Sequence, residues 1–531
     1  LKTKNEKRKR LISHFVFRFS FLLLAGCGFL PGNEPPPPPL VLETPPPNAW
    51  ASLTAVTQAP SPPARDAVTL AAELQGIDAP RTAVPPLNDF QVGDMAPFWV
   101  KDTGSDENIS IEAELIYQSD ALNMWADTAV NMDAQDAAAA AQVIETKILP
   151  TDRAFFGQEW QPGVDGDNRV NILHVAEVGG VAAAYFWSGN EVVTAVNPYS
   201  NQRELLTIGL KHSPLGSNTY FSAVAHEFQH LIQWHTDGNE EAWLNEGLGD
   251  LAPHVNGLEI DRASVYANQT DIQLTDLSQE PEVIGAHYAA SYLFAVYFLD
   301  RFGEEATQAL VRHPENGRAG FEAILAELET GLSFNDLFAD WLAANYLDGA
   351  GLGDGVYQYA SLEMAELAPE TIRRFPVEGT GSVNQFGADY LRIRSDKPFT
   401  LVFTGTQQTA LVDAQPHSGN FFWMSLPADV SDMRLGRAFD LTGLATATLT
   451  FWTWYDIEAG WDYGYVAVSV DDGRTWTLLE TESTTTDNPQ GNSFGPGFTG
   501  KSGGGETAVW VQESADLTCR AAGANPVPVR D

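Results

Sequence analysis

The chain of 531 residues contains only two cysteines, Cys27 and Cys519, so no framework of disulfides can hold it together and its stability must come from buried cores. Basic residues are scarce as well. Thirty Lys and Arg stand against 70 Asp and Glu, a formal charge of −40, and seven of those bases lie within residues 1–26. A surface of that sign repels phosphate backbones, which excludes nucleic acid as a partner class, and it favours solubility outside a cell. A membrane-spanning apolar run is missing at the N-terminus. Leu11–Ala25 is broken by His14 and Arg18 and as a helix covers about 22 Å, short of the roughly 30 Å of bilayer hydrocarbon. What is present suffices for folding: 44% of the residues are hydrophobic and 11% aromatic, and the length calls for two or three folded units plus tails.

A basic segment followed by a short apolar one is the pattern of a signal peptide. It ends Leu24-Ala25-Gly26-Cys27, which resembles the bacterial lipobox. That resemblance implies cleavage before Cys27, a lipid on its sulfur and an extracytoplasmic, cell-surface location. An ordinary signal peptide with an incidental cysteine is the alternative. Twelve of the 32 prolines fall between Pro31 and Pro63, a composition that favours extended polyproline II and suits a semi-rigid tether. The expected organisation is therefore residues 1–27 as lipoprotein signal peptide and lipobox, 28–64 as proline-rich linker, 65–375 as an enzyme domain and 376–531 as a β-domain.

Within 65–375, Ile109–Tyr117 alternates like a strand, and Asp133–Ile148 reads as a helix closed by Pro150. Val170–Val175 is a short apolar strand that follows the turn Gly163-Val164-Asp165-Gly166-Asp167. Asp-Gly-Asp has Ca²⁺-binding chemistry but lacks the rest of an EF-hand loop, and a plain hairpin turn is the preferred reading. Strands precede helices, which predicts an α+β domain.

Tyr220–His235 reads YFSAVAHEFQHLIQWH, with Phe221, Val224, Phe228, Leu231 and Ile232 at helical core spacing. On a helix His226 and His230 share one face about 5–6 Å apart at Cβ, so both imidazoles can reach one metal ion. Glu227, one step past the first of them, stands beside the metal as a general base. A third ligand is needed. The pattern HExxHxxGxxH is disfavoured, because Gln233 occupies the glycine position, Thr236 the expected histidine position, and His235 comes one residue early. The alternative takes a glutamate from the next helix. Trp243-Leu244-Asn245-Glu246-Gly247 supplies Glu246 after a turn at 236–239, and Asp250 falls on the same face to orient His226. Glu240 and Glu241 read as solvated or rim charges; they are the fallback should Glu246 fail.

HEFQH followed by WLNEG and Asp250 resembles the gluzincin metallopeptidases, and HEFQHLI with WLNEG looks closer to the hyicolysin-like secreted peptidases. The resemblance covers 220–251. It implies a zincin-like catalytic domain, Zn²⁺ held by His226, His230 and Glu246, and peptide hydrolysis in which Glu227 takes a proton from water. The donor for the developing oxyanion is not specified. His287 and Tyr288, in the helical stretch 282–302, are candidates, with ordinary helix packing as the plainer reading. Gly285–Phe302 and Phe334–Asn345 are assigned to packing.

Beyond about residue 375 the hydrophobic period changes to two. Ala445–Tyr455 and Tyr465–Val470 alternate, and Asp472-Gly473 marks a hairpin before Trp476. These short strands predict a β-sandwich or jelly roll, with Trp423, Trp452, Trp454, Trp461 and Trp476 mainly in its core. The stretch from Leu449 to Leu479, with WYDIE, WDY and VSVDDGRTW, resembles the β-domains of immune inhibitor A-type secreted peptidases. The alternation stops after Asp516-Leu517-Thr518, which suggests that the domain is truncated there. The functional expectation is a lipid-anchored zinc endopeptidase acting on extracellular protein or peptide, with Cys27 tying it to the membrane. A catalytically silent surface-binding or adhesion protein and a zinc amidase are the alternatives.

Overall fold

The structure is a computed structural model that describes residues 59 and 61–518, apart from 181, 279, 407, 408, 442 and 443. Cys27, its lipobox, most of the proline-rich segment and Cys519 lie outside the described residues. Among the described residues no helix is long and apolar enough to cross a membrane.

The chain enters through helix α1 (Ala67–Gln75), capped by the Asp66 carboxylate on the N–H groups of Val68 and Thr69 and ended by Gly76 at φ 70°. A six-stranded sheet follows, built from β1 (Met95–Asp102), β2 (Glu107–Gln118), β3 (Leu122–Asp127), β4 (Val170–Val175), β5 (Ala184–Phe186) and β6 (Leu205–Gly209). Its order is β1-β2-β3-β4-β6-β5. The first three strands form an antiparallel meander, β3–β4 and β4–β6 are parallel, and β5 runs antiparallel to β6 at the edge. Every residue of β4 is buried, as both faces are covered. Ile172 faces the large helical core, while Leu173 and Val175 join Phe98, Trp125 and Leu205 in a second apolar cluster on the other face.

The predicted helix at 133–148 differs in its ending. Asp133 caps α2 (Ala134–Val143) through the N–H groups of Gln135 and Asp136, a π turn covers Ile144–Ile148, and the chain continues directly into α3 (Leu149–Phe156). Pro150 does not close the helix. It occupies the first turn of α3 directly after the π turn, and its fixed φ suits the helix.

The helical half comprises α4 (Asn218–Thr236), α5 (Ala242–Val255), α6 (Ala263–Asn268), α7 (Ile284–Phe302), α8 (Glu304–Val311), α9 (Gly317–Glu327) and α10 (Phe334–Leu347). Its centre is aromatic: Trp243 packs against Phe294, Phe321 and Phe334 at ring separations of 6.2, 6.0 and 6.5 Å. Burial of each such ring contributes about 1.5–3 kcal/mol. Gly247 lets α5 approach α7 closely, since a Cβ there would lie 2.9 Å from the Ser291 carbonyl oxygen. This packing fixes α5 against its neighbours, and with it the residues that α5 presents to α4.

The C-terminal region is β-structured but departs from the expected sandwich. Among the described residues it contains three two-stranded ladders: β7 (Glu370–Ile372) with β8 (Leu391–Ile393), β9 (Thr448–Thr453) with β12 (Val511–Asp516), and β10 (Ala467–Val468) with β11 (Thr477–Leu478). The predicted hairpin is present: Asp472 and Gly473 turn the chain at φ 64° and 80° between β10 and β11. The tryptophans do not form one core. Trp423 is 83% exposed and Trp452 42%, because no continuous second sheet covers them among the described residues. Leu478 and Phe494 instead pack with Leu70 and Ala71 of α1 and with Val164, Val193 and Val196, joining the C-terminal region to the sheet half.

Candidate metal centre

Helix α4 begins where the Ser217 hydroxyl accepts the N–H of Tyr220, and it buries Val224, Phe228, Leu231 and Ile232 at helical spacing. That orientation turns His226 and His230 toward α5, with ring centroids 4.6 Å apart. Their Nε2 atoms stand 2.9 Å apart. Glu246 Oε2 lies 3.2 Å from His226 Nε2 and 3.4 Å from His230 Nε2. The potential ligand atoms of these three side chains all fall within 4.8 Å of one another. Gly249 makes the approach possible, since a Cβ there would sit 2.8 Å from His226 Cε1 and 2.9 Å from His230 Cε1.

A second layer fixes both rings. His226 Nδ1 is 3.1 Å from Asp250 Oδ1, and His230 Nδ1 is 3.2 Å from Asn245 Oδ1. Arg262 in turn donates from Nε to Asp250 Oδ2 at 2.6 Å and from an Nη to Oδ1 at 3.0 Å. With Nδ1 of each ring turned to an oxygen acceptor, Nε2 is the atom that each ring would offer to a metal ion on the side of Glu246. Two imidazole nitrogens and one carboxylate oxygen at this spacing match the donor set and spacing that zinc takes.

The electrostatics follow from the same neighbours. Burial opposes charge on Glu246, yet the two histidines hold its carboxyl well below the usual range. Burial likewise opposes charge on His226, but hydrogen bonds to Asp250 and Glu246 carry its pKa well above the ordinary value. Asp250 is lowered against its burial, chiefly by the Arg262 guanidinium. Glu227 behaves oppositely: burial raises its carboxyl, with partial relief from the two imidazoles. Its Oε2 accepts the backbone N–H of Phe186, on edge strand β5, at 2.7 Å.

The structure therefore gathers His226, Glu227, His230, Glu246 and Asp250 into one place. Glu240 and Glu241 are not solvated rim charges. Glu240 is 5% exposed, and its carboxylate accepts the N–H groups of Gly317 and Glu241, which spends it on the turn between α4 and α5. Glu241 accepts the indole N–H of Trp243 at 2.6 Å. Of the two oxyanion-donor candidates, His287 is buried and has no hydrogen-bond partner at Nδ1 among the described residues, whereas Tyr288 stacks over His226 at 6.3 Å and lies against Glu246. Sequence reading missed Arg262, Asn245 and the Phe186 N–H. Arg262 follows no motif, a backbone amide leaves no sequence signal, and Asn245 was visible only as part of WLNEG.

A family model described as "Immune inhibitor A-like, MAM domain" matches residues 394–520, in agreement with the resemblance seen at 449–479. No curated protein matches the chain. Among solved structures, a two-domain M1 zinc metallopeptidase mutant bound to L-arginine matches at 12% identity with a TM-score of 0.27, covering 45% of this chain and 49% of that one. The M1 zinc metallopeptidase from Deinococcus radiodurans matches at 10% identity and a TM-score of 0.25, covering 44% and 50%. The chain thus spans about half the length of the solved structures it matches.

The support of His226 is testable by itself. Asp250→Asn keeps the shape but removes the charge that Arg262 and His226 share. The expected result is a 10–100-fold weaker zinc affinity, on the order seen when an outer-layer partner is lost, read by competition with a chromogenic chelator. An unchanged affinity would remove Asp250 from the site.

Proposed function

We propose that this chain is a secreted zinc endopeptidase of the hyicolysin-like gluzincin kind, with His226, His230 and Glu246 as metal ligands and Glu227 as general base. The observation that carries the reading is the convergence of those three donors from two helices beside a buried glutamate. A zinc ion held by His226, His230 and Glu246 would supply Lewis acidity toward a water and a peptide carbonyl. The rest falls to the chain's own residues. Asp250 and Asn245 orient the rings. The Phe186 N–H anchors one oxygen of Glu227, leaving the other to take the water proton and pass it to the leaving amine. Burial raises the Glu227 carboxyl toward the pH at which it must exchange that proton. The Tyr288 hydroxyl, beside Glu246, is the donor to the developing oxyanion. Because Phe186 belongs to the edge strand β5, an extended peptide that adds to this edge lies next to the base, which favours a peptide over a small amide.

Metal content and casein cleavage by purified residues 49–531 test the reading. Expected are one zinc per chain and cleavage abolished by a zinc chelator. Zinc without cleavage of any peptide would favour a different hydrolase such as an amidase. Absence of zinc would leave a surface-binding protein on a peptidase-like fold.

Localisation forms part of the same proposal: a lipid on Cys27 and the proline-rich tether hold the enzyme at the cell surface. Cys27→Ser in the full chain, expressed in a bacterium that lipidates such proteins, is expected to move the protein from the membrane to the soluble fraction. Unchanged retention would reject the lipid anchor.

A further inference from the structure

Arg262 stands just ahead of α6, at the end of the connection that leaves α5. Its backbone is tied to the core. The Arg262 carbonyl accepts the N–H of Tyr266 at 3.0 Å, and the buried Tyr266 ring packs against Trp341 of α10 at 5.4 Å. From that fixed point the side chain reaches two groups of the metal centre. Its Nε and one Nη hold both oxygens of Asp250, at 2.6 and 3.0 Å. Its guanidinium carbon also lies 5.3 Å from the centre of the Tyr288 ring. Tyr288 in turn stacks on His226, with ring centres 6.3 Å apart and planes inclined by 26°. His226 closes the loop through Nδ1, 3.1 Å from Asp250 Oδ1. Four side chains thus form one ring of contacts, with the guanidinium opposite the imidazole.

The two contacts of Arg262 do different things. A two-pronged bond fixes the plane of a carboxylate as well as its position, so Asp250 Oδ1 is held where the His226 ring meets it. A cation beside an aromatic ring constrains that ring without engaging its hydroxyl. Asp250 is buried, and a carboxylate taken out of water is stable only when its charge and its oxygens are both met. Lysine would bring the charge but neither the planar fork nor the flat face, so the pair of contacts is particular to arginine.

We infer that Arg262 is a positioning residue with two separate outputs: it aims His226 at the metal through Asp250, and it places the Tyr288 hydroxyl. Resting on the peptidase reading, in which Tyr288 is the donor to the oxyanion, this makes one side chain set both metal affinity and turnover. The first output concerns the metal alone and is visible without substrate. The second concerns the step at which negative charge develops, and it is visible when zinc is saturating.

The test uses the purified full chain carrying Arg262→Gln, alone and combined with Asp250→Asn or with Tyr288→Phe. Zinc affinity, read by chelator competition, is expected to fall about 10–100-fold, with no further fall where Asp250→Asn is already present. At saturating zinc, kcat on a peptide substrate is expected to fall about 10–100-fold with KM unchanged, and to fall no further in the Tyr288→Phe background. Arg262→Lys should retain more zinc affinity than Arg262→Gln and yet share its loss of kcat; it carries the test if the glutamine variant fails to fold. A merely structural role would lower the unfolding midpoint and leave the losses additive, and full additivity with both partner substitutions would overturn the two-output role. Turnover restored to the parent value by saturating zinc would overturn it equally, since Arg262 would then act through the metal alone. A parent that binds zinc and cleaves, beside an Arg262→Gln variant unchanged in both, would remove Arg262 and leave the peptidase reading standing. A parent with neither zinc nor cleavage would remove the peptidase reading, and this role with it.

Discussion

Glu227→Gln is expected to keep one zinc per chain and to cleave casein about 10²–10⁴-fold more slowly than the parent, the usual loss when a positioned general base is removed. The amide has the same shape as the carboxylate and its oxygen can still accept the Phe186 N–H, so the side chain stays in place. Glu227 stands beside the three donors and is not one of them, so the metal should remain. What is lost is basicity. Because burial raises the Glu227 carboxyl, the parent should lose activity as pH falls through a value above the ordinary carboxylate range, and the variant's residual activity should lack that limb. Elemental analysis and a pH–rate profile of both proteins decide the matter. Full zinc with unchanged turnover would send the search for the base elsewhere, and loss of zinc along with turnover would make Glu227 part of the metal support.

Much of the centre was legible because its logic is local. His226, Glu227 and His230 sit within one helical turn and a half, and helical periodicity alone puts the two rings together. Glu246 and Asp250 were legible as the same face of the next helix, given the short turn between α4 and α5. Arg262 and the Phe186 N–H belong to segments brought in by tertiary packing, and nothing in their own sequence marks them. Glu240 was misread for a related reason. A charged residue in a turn normally faces water, but here it satisfies the N–H of Gly317, which is 77 residues away. Pro150 was misread by treating proline as a stop, when the π turn before it restarted the helix and placed it in a first turn. Asp165 shows the limit most clearly. The turn itself was recognisable from its glycines, but it leads from α3 into β4 and does not join two strands of a hairpin, and its bond from the Val164 N–H to Glu204 depends on the residue before β6.

Glu246→Ala should be the most damaging single change to metal binding, reducing bound zinc to less than about a tenth of an equivalent and abolishing cleavage, since two imidazoles alone leave zinc one protein ligand short of its usual catalytic set. The carboxylate is the anion on which both rings converge, at 3.2 and 3.4 Å. Burial opposes its charge, and the histidines nonetheless hold it ionised. Removing it leaves the two Nε2 atoms 2.9 Å apart with no anion between them, so in metal-free protein the rings must separate or share a proton. Neither nearby acid can substitute. Glu240 is held by two backbone N–H groups and Glu241 by the Trp243 indole, and moving either would unmake the turn or uncover the aromatic core. Glu246→Gln separates charge from shape: the amide retains an oxygen donor without the negative charge, and zinc affinity should fall between parent and alanine variant. Full zinc and activity in Glu246→Ala would exclude this glutamate as a ligand, and with it the assignment of the site to the two-helix class.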